Sequence, residues 1–177
     1  MGYEVFTRES TQQRSRSSSS KKIQTNIIST RYTEFSKSPV QLGKEERLKW
    51  SSAFNKLEVM RHLGAEIILE DDYIVSCAIK HIMDYHRGGM GISALNGAII
   101  SSLLDCVIAV SGVLQFPGKK AGTVELSIKI IKPLFGNSAY AEGFVTKKAK
   151  NISFSEGFLY DENSKLCARA SGIVSKA

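Results

Sequence analysis

The sequence predicts an α+β domain in which an antiparallel β-sheet curls around one long buried helix. Three observations carry that reading. Residues 95–114 form a helix-length run that is apolar nearly all round, and such a helix lies inside a fold. After Phe116 the hydrophobic period changes from helical to two. Four strand-like runs then follow, separated by short turn signals.

In chain order, residues 1–40 read as a flexible, basic Ser/Arg-rich leader, and residues 41–177 as one folded domain. The stretch SRSSSSKK at 15–22 has almost nothing apolar to bury, so ordering it would cost backbone entropy without compensation. Over residues 44–63, Leu48, Trp50, Phe54, Leu57, Val59, Met60 and Leu63 recur at mostly three- and four-residue intervals, and Gly64 follows. This predicts one amphipathic helix ending at a glycine C-cap. Residues 65–69 and 73–82 read as a β-pair about a turn at Asp71 and Asp72. The buried helix comes next, then the turn FPGKK. Beyond it Val124, Leu126, Ile128 and Ile130 are expected on one face of a half-buried strand, with Glu125, Ser127 and Lys129 on the other. Residues 138–148, 153–160 and 165–174 complete the meander.

Composition narrows the function. A chain of 177 residues that is 42% hydrophobic buries one ordinary core. Its longest apolar stretch is interrupted by Asn96, Ser101, Ser102, Asp105, Ser111 and Gln115, which argues against membrane insertion. No secretory signal is legible near the N-terminus, and Cys77, Cys106 and Cys167 are odd in number and widely spaced. A cytoplasmic location with reduced thiols is expected. With no CxxC pair and three histidines, no metal site is expected. The net charge is +7, and residues 1–40 hold +4 of it, seven Lys and Arg against three Glu. That tail lacks aromatic interleaving or a reading motif, so no nucleic-acid partner is expected.

Asp105 is the anomaly. A carboxylate in an apolar helix faces several kcal/mol of desolvation unless it is paired, protonated or exposed in a cleft. A functional cleft is one explanation, and a solvent-facing residue or a hydrogen bond to Ser101 or Ser102 is the other. Upstream, His86-Arg87-Gly88-Gly89-Met90-Gly91 and Ala94-Leu95-Asn96-Gly97-Ala98 form a glycine-rich loop that feeds the helix N-terminus. Free amide N–H groups and the helix dipole make such an end a natural oxyanion hole, though glycines there also permit a tight turn. Asn96 and Asp105 are nine residues apart, which sets them about 180° apart on a helix. If both act in one reaction, a two-fold-related second subunit must supply one of them.

These residues resemble the signature of the hotdog-fold thioesterases of the 4-hydroxybenzoyl-CoA and phenylacetate-degradation type. That signature is His-Gly-Gly at the helix start and an acid nine residues on, and here it reads Asn96-Gly97-Ala98 with Asp105. The strand TVELSIKIIKPL from Thr123, the segment FSEG from Phe154 and the segment KLCARA from Lys165 are similar to the family's later strands. The resemblance spans residues 55–175.

The resemblance implies a sheet wrapped around a central helix, here with an extra N-terminal helix, and an acyl-CoA thioesterase working as a homodimer or dimer of dimers. It implies that the Gly97 N–H polarises the thioester carbonyl and that Asp105 of the neighbouring subunit activates water or attacks. Asn96 would orient the carbonyl and Thr123 would position water. Lys150 and Asn151 would contact coenzyme A, with Gly89 and Ala98 also against the substrate. No cofactor is implied beyond the coenzyme A of the substrate. Lys119, Lys120, Lys147 and Lys148 are further candidates for its phosphates. The chain departs from the pattern at Asn96, Ala98 and Met90, which stand where the family has His, Gly and often Asn. A non-catalytic acyl-CoA- or lipid-binding protein on the same fold is therefore the alternative; a hydratase and a partner-binding role for the leader rank below it.

Overall fold

The computed structural model describes residues 36–88 and 93–177. Most of the expected leader, and Gly89, Met90 and Gly91, lie outside the described residues. One compact unit runs Lys37–Ala177. Its first residues join the domain through Ser38 N–H to the Val145 carbonyl (2.8 Å) and Val40 N–H to the Asp72 carbonyl (2.7 Å).

The amphipathic stretch folds as two helices, α1 (Lys44–Asn55) and α2 (Glu58–Leu63), where the periodicity predicts one. The interruption has a polar cause. The Asn55 carboxamide accepts from Ile67 N–H (2.7 Å) and donates to the Ile67 carbonyl (3.0 Å), while Ser51 Oγ donates to the same carbonyl (2.8 Å). Ile67 belongs to β1 (Ala65–Ile68), the first strand of the sheet order, so these side chains satisfy backbone groups that an edge strand leaves unpaired. The chain restarts at Leu57, which is extended, and α2 ends on Gly64 at φ 56°, a left-handed cap.

β1 pairs antiparallel with β2 (Val75–Ile79). Asp71 holds the turn between them, its Oδ1 accepting from Tyr73 N–H (2.7 Å) and Ile74 N–H (2.9 Å). After a 3-10 turn at Asp84–His86 comes the central helix, α3 (Gly97–Val113), followed by β3 (Ala121–Ile130), β4 (Ala139–Lys148), β5 (Ile152–Asp161) and β6 (Leu166–Lys176). The sheet order is β1-β2-β4-β5-β6-β3, antiparallel throughout.

The sheet curls around α3, whose Leu103, Leu104, Val107 and Ile108 are fully buried. Small residues under the helix permit the close approach. A Cβ on Gly143 would stand 2.8 Å from the Val107 backbone carbonyl oxygen, and one on Gly172 would stand 2.7 Å from Ile108 Cγ2. Real Cβ atoms do not approach so closely, so these positions of β4 and β6 require glycine.

The face pattern expected for β3 holds for Leu126 and Ile128, which pack against the core, but fails at Val124, which is 67% exposed, and at Ile130, which is 53% exposed at the strand's end. A β-bulge explains the failure at Val124. Thr123 pairs with Val174 and Glu125 with Ile173, leaving Val124 as the extra residue. Side-chain parity flips across such an insertion, and Thr123 rather than Val124 turns toward the helix.

Candidate active site

The N-terminus of α3 is set by its cap. Asn96 is extended (φ −63°, ψ 141°) and its Oδ1 accepts from Ala98 N–H at 2.8 Å, satisfying one of the donors a helix start leaves open. Backbone bonds fix the approach: Asn96 N–H to the His86 carbonyl (2.9 Å), Leu95 N–H to the Leu134 carbonyl (2.9 Å) and Gly88 N–H to the Ala94 carbonyl (3.2 Å). A Cβ at Gly88 would stand 2.7 Å from Asn96 Nδ2, so a larger residue there would displace the side chain that caps the helix. Gly97 and Ala98 are exposed, so the first amide of the helix faces solvent with the positive end of the dipole behind it. The side chain of Ile130, at the far end of β3, reaches over this end, 3.8 Å from where a Gly97 Cβ would stand.

His86 anchors the loop before the helix. It is fully buried, and Nδ1 accepts from Met83 N–H at 2.9 Å. Burial holds its titration below the ordinary 6.5, against an opposing pull from the Leu63 carbonyl and with a smaller push from Arg87.

Two turns on, Asp105 is half-buried on the side of α3 that faces β3. Thr123 Oγ1 donates to its Oδ1 at 3.0 Å. Ser101 and Ser102, the nearer candidates in sequence, bond instead to the carbonyls of Gly97 (2.8 Å) and Ala98 (2.9 Å) one turn back. The carboxylate is therefore held by a residue 18 positions away, brought there by the bulge in β3.

The expected site residues thus fall into three groups. Asp105 and Thr123 are brought together. Asn96, Gly97 and Ala98 lie at the helix start, and the nine residues from Asn96 to Asp105 rise about 13–14 Å along the axis. A single carbonyl cannot reach both ends. Lys150 and Asn151 form the β4–β5 turn, where the Asn151 carbonyl accepts from Lys176 N–H (2.9 Å). Strand register brings this turn to the same end of the sheet as the start of β3, since Lys176 pairs with Ala121 and Ser175 with Ile152. Lys148 stands over the Phe116 ring there, 5.6 Å from its centroid, where α3 has ended. Gly89 lies outside the described residues. Among the described residues no cluster of His, Cys, Asp or Glu could hold a metal ion, and no helix is long and apolar enough to cross a membrane.

The sequence reading missed the bulge at Val124, for which a β-branched residue in an alternating strand gives no signal. It also missed the contact of Cys106 Sγ with Met60 Sδ at 3.8 Å, one residue from Asp105.

No family model and no curated protein matches the chain. Solved structures do. A thioesterase from Haemophilus influenzae is 14% identical with a TM-score of 0.65, covering 74% of this chain and 90% of its own. The PaaI protein of the Escherichia coli phenylacetic acid degradation operon is 17% identical with a TM-score of 0.63, covering 75% of this chain and 92% of its own. A Bacillus halodurans protein crystallised with CoA is 19% identical with a TM-score of 0.59, covering 75% of this chain and 87% of its own. The shared architecture is the hotdog fold of these structures, a sheet wrapped around a central helix, with an added N-terminal helical segment in this chain.

Proposed function

We propose that this chain is an acyl-CoA thioesterase that releases free acid and coenzyme A at two composite sites of a homodimer. The observation that carries the reading is the Thr123–Asp105 hydrogen bond. It holds a half-buried carboxylate beside the sheet edge, one helix position from the fully buried Leu104. A thioester needs a base or nucleophile and a preformed donor for the developing oxyanion. Asp105 is the first and the exposed Gly97 N–H is the second.

The two are too far apart to act within one chain, and the topology supplies the remedy. β3 ends the sheet order, so its outer edge is open for pairing. Thr123 and Asp105 lie near its start, Ile130 and Gly97 near its end. Antiparallel pairing of β3 with its two-fold copy sets the start of one strand against the end of the other. Gly97 of one protomer then faces Asp105 of the partner subunit. Exposed Val124 and Ile130 gain cover in that arrangement.

In the reaction the carbonyl oxygen accepts from the Gly97 N–H, at the positive end of α3. Asp105 either removes a proton from water attacking the carbonyl carbon or attacks that carbon itself, giving an anhydride that water then hydrolyses to the free acid; Thr123 orients the carboxylate, and the coenzyme A thiolate leaves. Ala98 borders the carbonyl site, and Asn96 acts by capping the helix that presents Gly97. Lys119, Lys120, Lys147, Lys148, Lys150 and Asn151 gather at the sheet end nearest Thr123 and suit the coenzyme A phosphates.

The alternative is an acyl-CoA-binding protein without turnover, since Asn96, whose Oδ1 caps the helix, stands where the resemblance places His. Thiol release from short, long and aromatic acyl-CoAs separates the two. Turnover lost in Asp105→Asn supports the enzyme; tight binding of every ester with no thiol release from any supports the binding protein.

A further inference from the structure

Of the three histidines, His86 alone is enclosed by the fold; His62 and His81 are exposed. Two reciprocal bonds close the 3-10 turn on which it stands. The His86 N–H donates to the Met83 carbonyl (3.0 Å), and the Met83 N–H donates to His86 Nδ1 (2.9 Å). A ring nitrogen that accepts carries no proton, so this turn requires the neutral imidazole with its hydrogen on Nε2. Nε2 lies against the cap of α2, 3.6 Å from where a Gly64 Cβ would stand. A second proton can go only to Nδ1, where it would confront the Met83 N–H. The same residue holds the start of α3. Its carbonyl accepts from Asn96 N–H (2.9 Å), and Asn96 in turn caps Ala98 N–H (2.8 Å), with Gly97 between them.

We propose that His86 is a proton-operated latch on the N-terminus of α3: neutral, it holds the turn shut and fixes Asn96 and the Gly97 amide; protonated at Nδ1, it releases the turn and loosens that helix start. The surroundings of the ring suit a switch that rests in the neutral form. Tyr85 lies against it, ring centroids 4.1 Å apart, with its phenol oxygen beside the same Gly64 cap. Arg87 commits its guanidinium to the carbonyls of Ser93 (2.8 Å) and Gly136 (2.9 Å), a fixed positive charge that opposes a second one. The last turn of α2 carries Arg61 and His62, both exposed and beside Glu58, and Asp84 on the turn itself is exposed. α3 offers no charged side chain before Asp105, two turns on. Burial holds the ring's titration below 6.5, with the Leu63 carbonyl pulling the other way. A released ring in water returns to its ordinary value. Below 6.5 the released form therefore binds more protons than the latched one, and the latch weakens as pH falls.

Only the effect of the latch on an oxyanion donor rests on the thioesterase reading; the latch itself is read without substrate, and a chain that hydrolyses no acyl-CoA would leave its signals untouched. NMR of the full chain between about pH 7.5 and about pH 5 supplies the test. Ring nitrogen shifts should show His86 with a bare Nδ1 at the upper end. As His86 titrates, the hydrogen-exchange protection of the Met83, Asn96 and Ala98 amides, corrected for intrinsic exchange, should fall in total by about tenfold for each pH unit by which its midpoint lies below the ordinary value. The amides of β5 and β6 should stay better protected than these throughout, which marks the opening as local. In His86→Gln, whose neutral amide oxygen can accept from Met83 N–H, the helix start should keep its protection at both ends of the range; in His86→Ala it should be poorly protected at both. A protonated Nδ1 at about pH 7.5, protection that ignores the His86 titration, exchange no faster at the helix start than in β5 and β6, or the same loss in His86→Gln overturns the proposal. The titration of the unaltered chain decides the matter if either variant fails to fold.

Discussion

A single hydrogen bond distinguishes Asp105 from an ordinary helix-surface acid, and its donor sits 18 residues on. Replacing the carboxylate by Asp105→Asn should lower kcat by at least about 100-fold, the scale of a positioned general base, with circular dichroism and coenzyme A binding unchanged. Thr123→Val should cost about 1.5–3 kcal/mol of that positioning, or roughly 10- to 100-fold in kcat, while Thr123→Ser recovers most of it. Equal turnover in Thr123→Val would remove Thr123 from the site. His86 supplies a pH dependence at the same scale. Its folded-state titration is depressed by burial, so below the ordinary 6.5 the unfolded chain binds more protons than the folded one. The stability it contributes is present above about 6.5 and lost as pH falls, and Tm in wild type should decline over that range more steeply than in a folded His86→Gln.

The elements depend on local devices that can be broken one at a time. Asn96→Ala removes the cap of α3 and should cost about 1 kcal/mol in denaturant unfolding, whereas Asn96→Asp should keep it. The glycines under the helix are more demanding. Gly143→Ala puts a methyl group 2.8 Å from the Val107 carbonyl oxygen, a backbone atom that cannot rotate aside, and should cost about 1–3 kcal/mol. The division of α1 from α2 belongs to the same scale. Helical spacing continues through Leu57, yet the Asn55 side chain is used on β1, and satisfying the edge of that strand outweighs another helical turn.

The proposed composite sites make a prediction that only an assembled dimer can express. Gly97→Pro removes the proposed oxyanion donor, and the first helical position accepts proline because Asn96 before it is already extended. Gly97→Pro and Asp105→Asn homodimers should each be inactive. Mixed after dissociation, half of the dimers should be heterodimers carrying one intact site of two, restoring about a quarter of wild-type activity. No recovery in a mixture shown by mass to contain heterodimers would place both groups elsewhere.

The sequence by itself determined the buried helix, the antiparallel meander and the anomaly at Asp105. Each is a periodicity or a violation of one, and hydrophobic period is a local property that survives without knowledge of contacts. It also located the helix start within two residues, because Asn96 followed by Gly97 is chemistry that acts within one turn. Only the tertiary structure decided which hydroxyl holds Asp105 and where the first helix breaks. Those outcomes rest on strand register, on a single inserted residue at Val124 and on an edge strand in need of partners. Each pairs atoms far apart in the chain, and no repeat in a linear pattern encodes which of several equally spaced side chains the fold will bring opposite another.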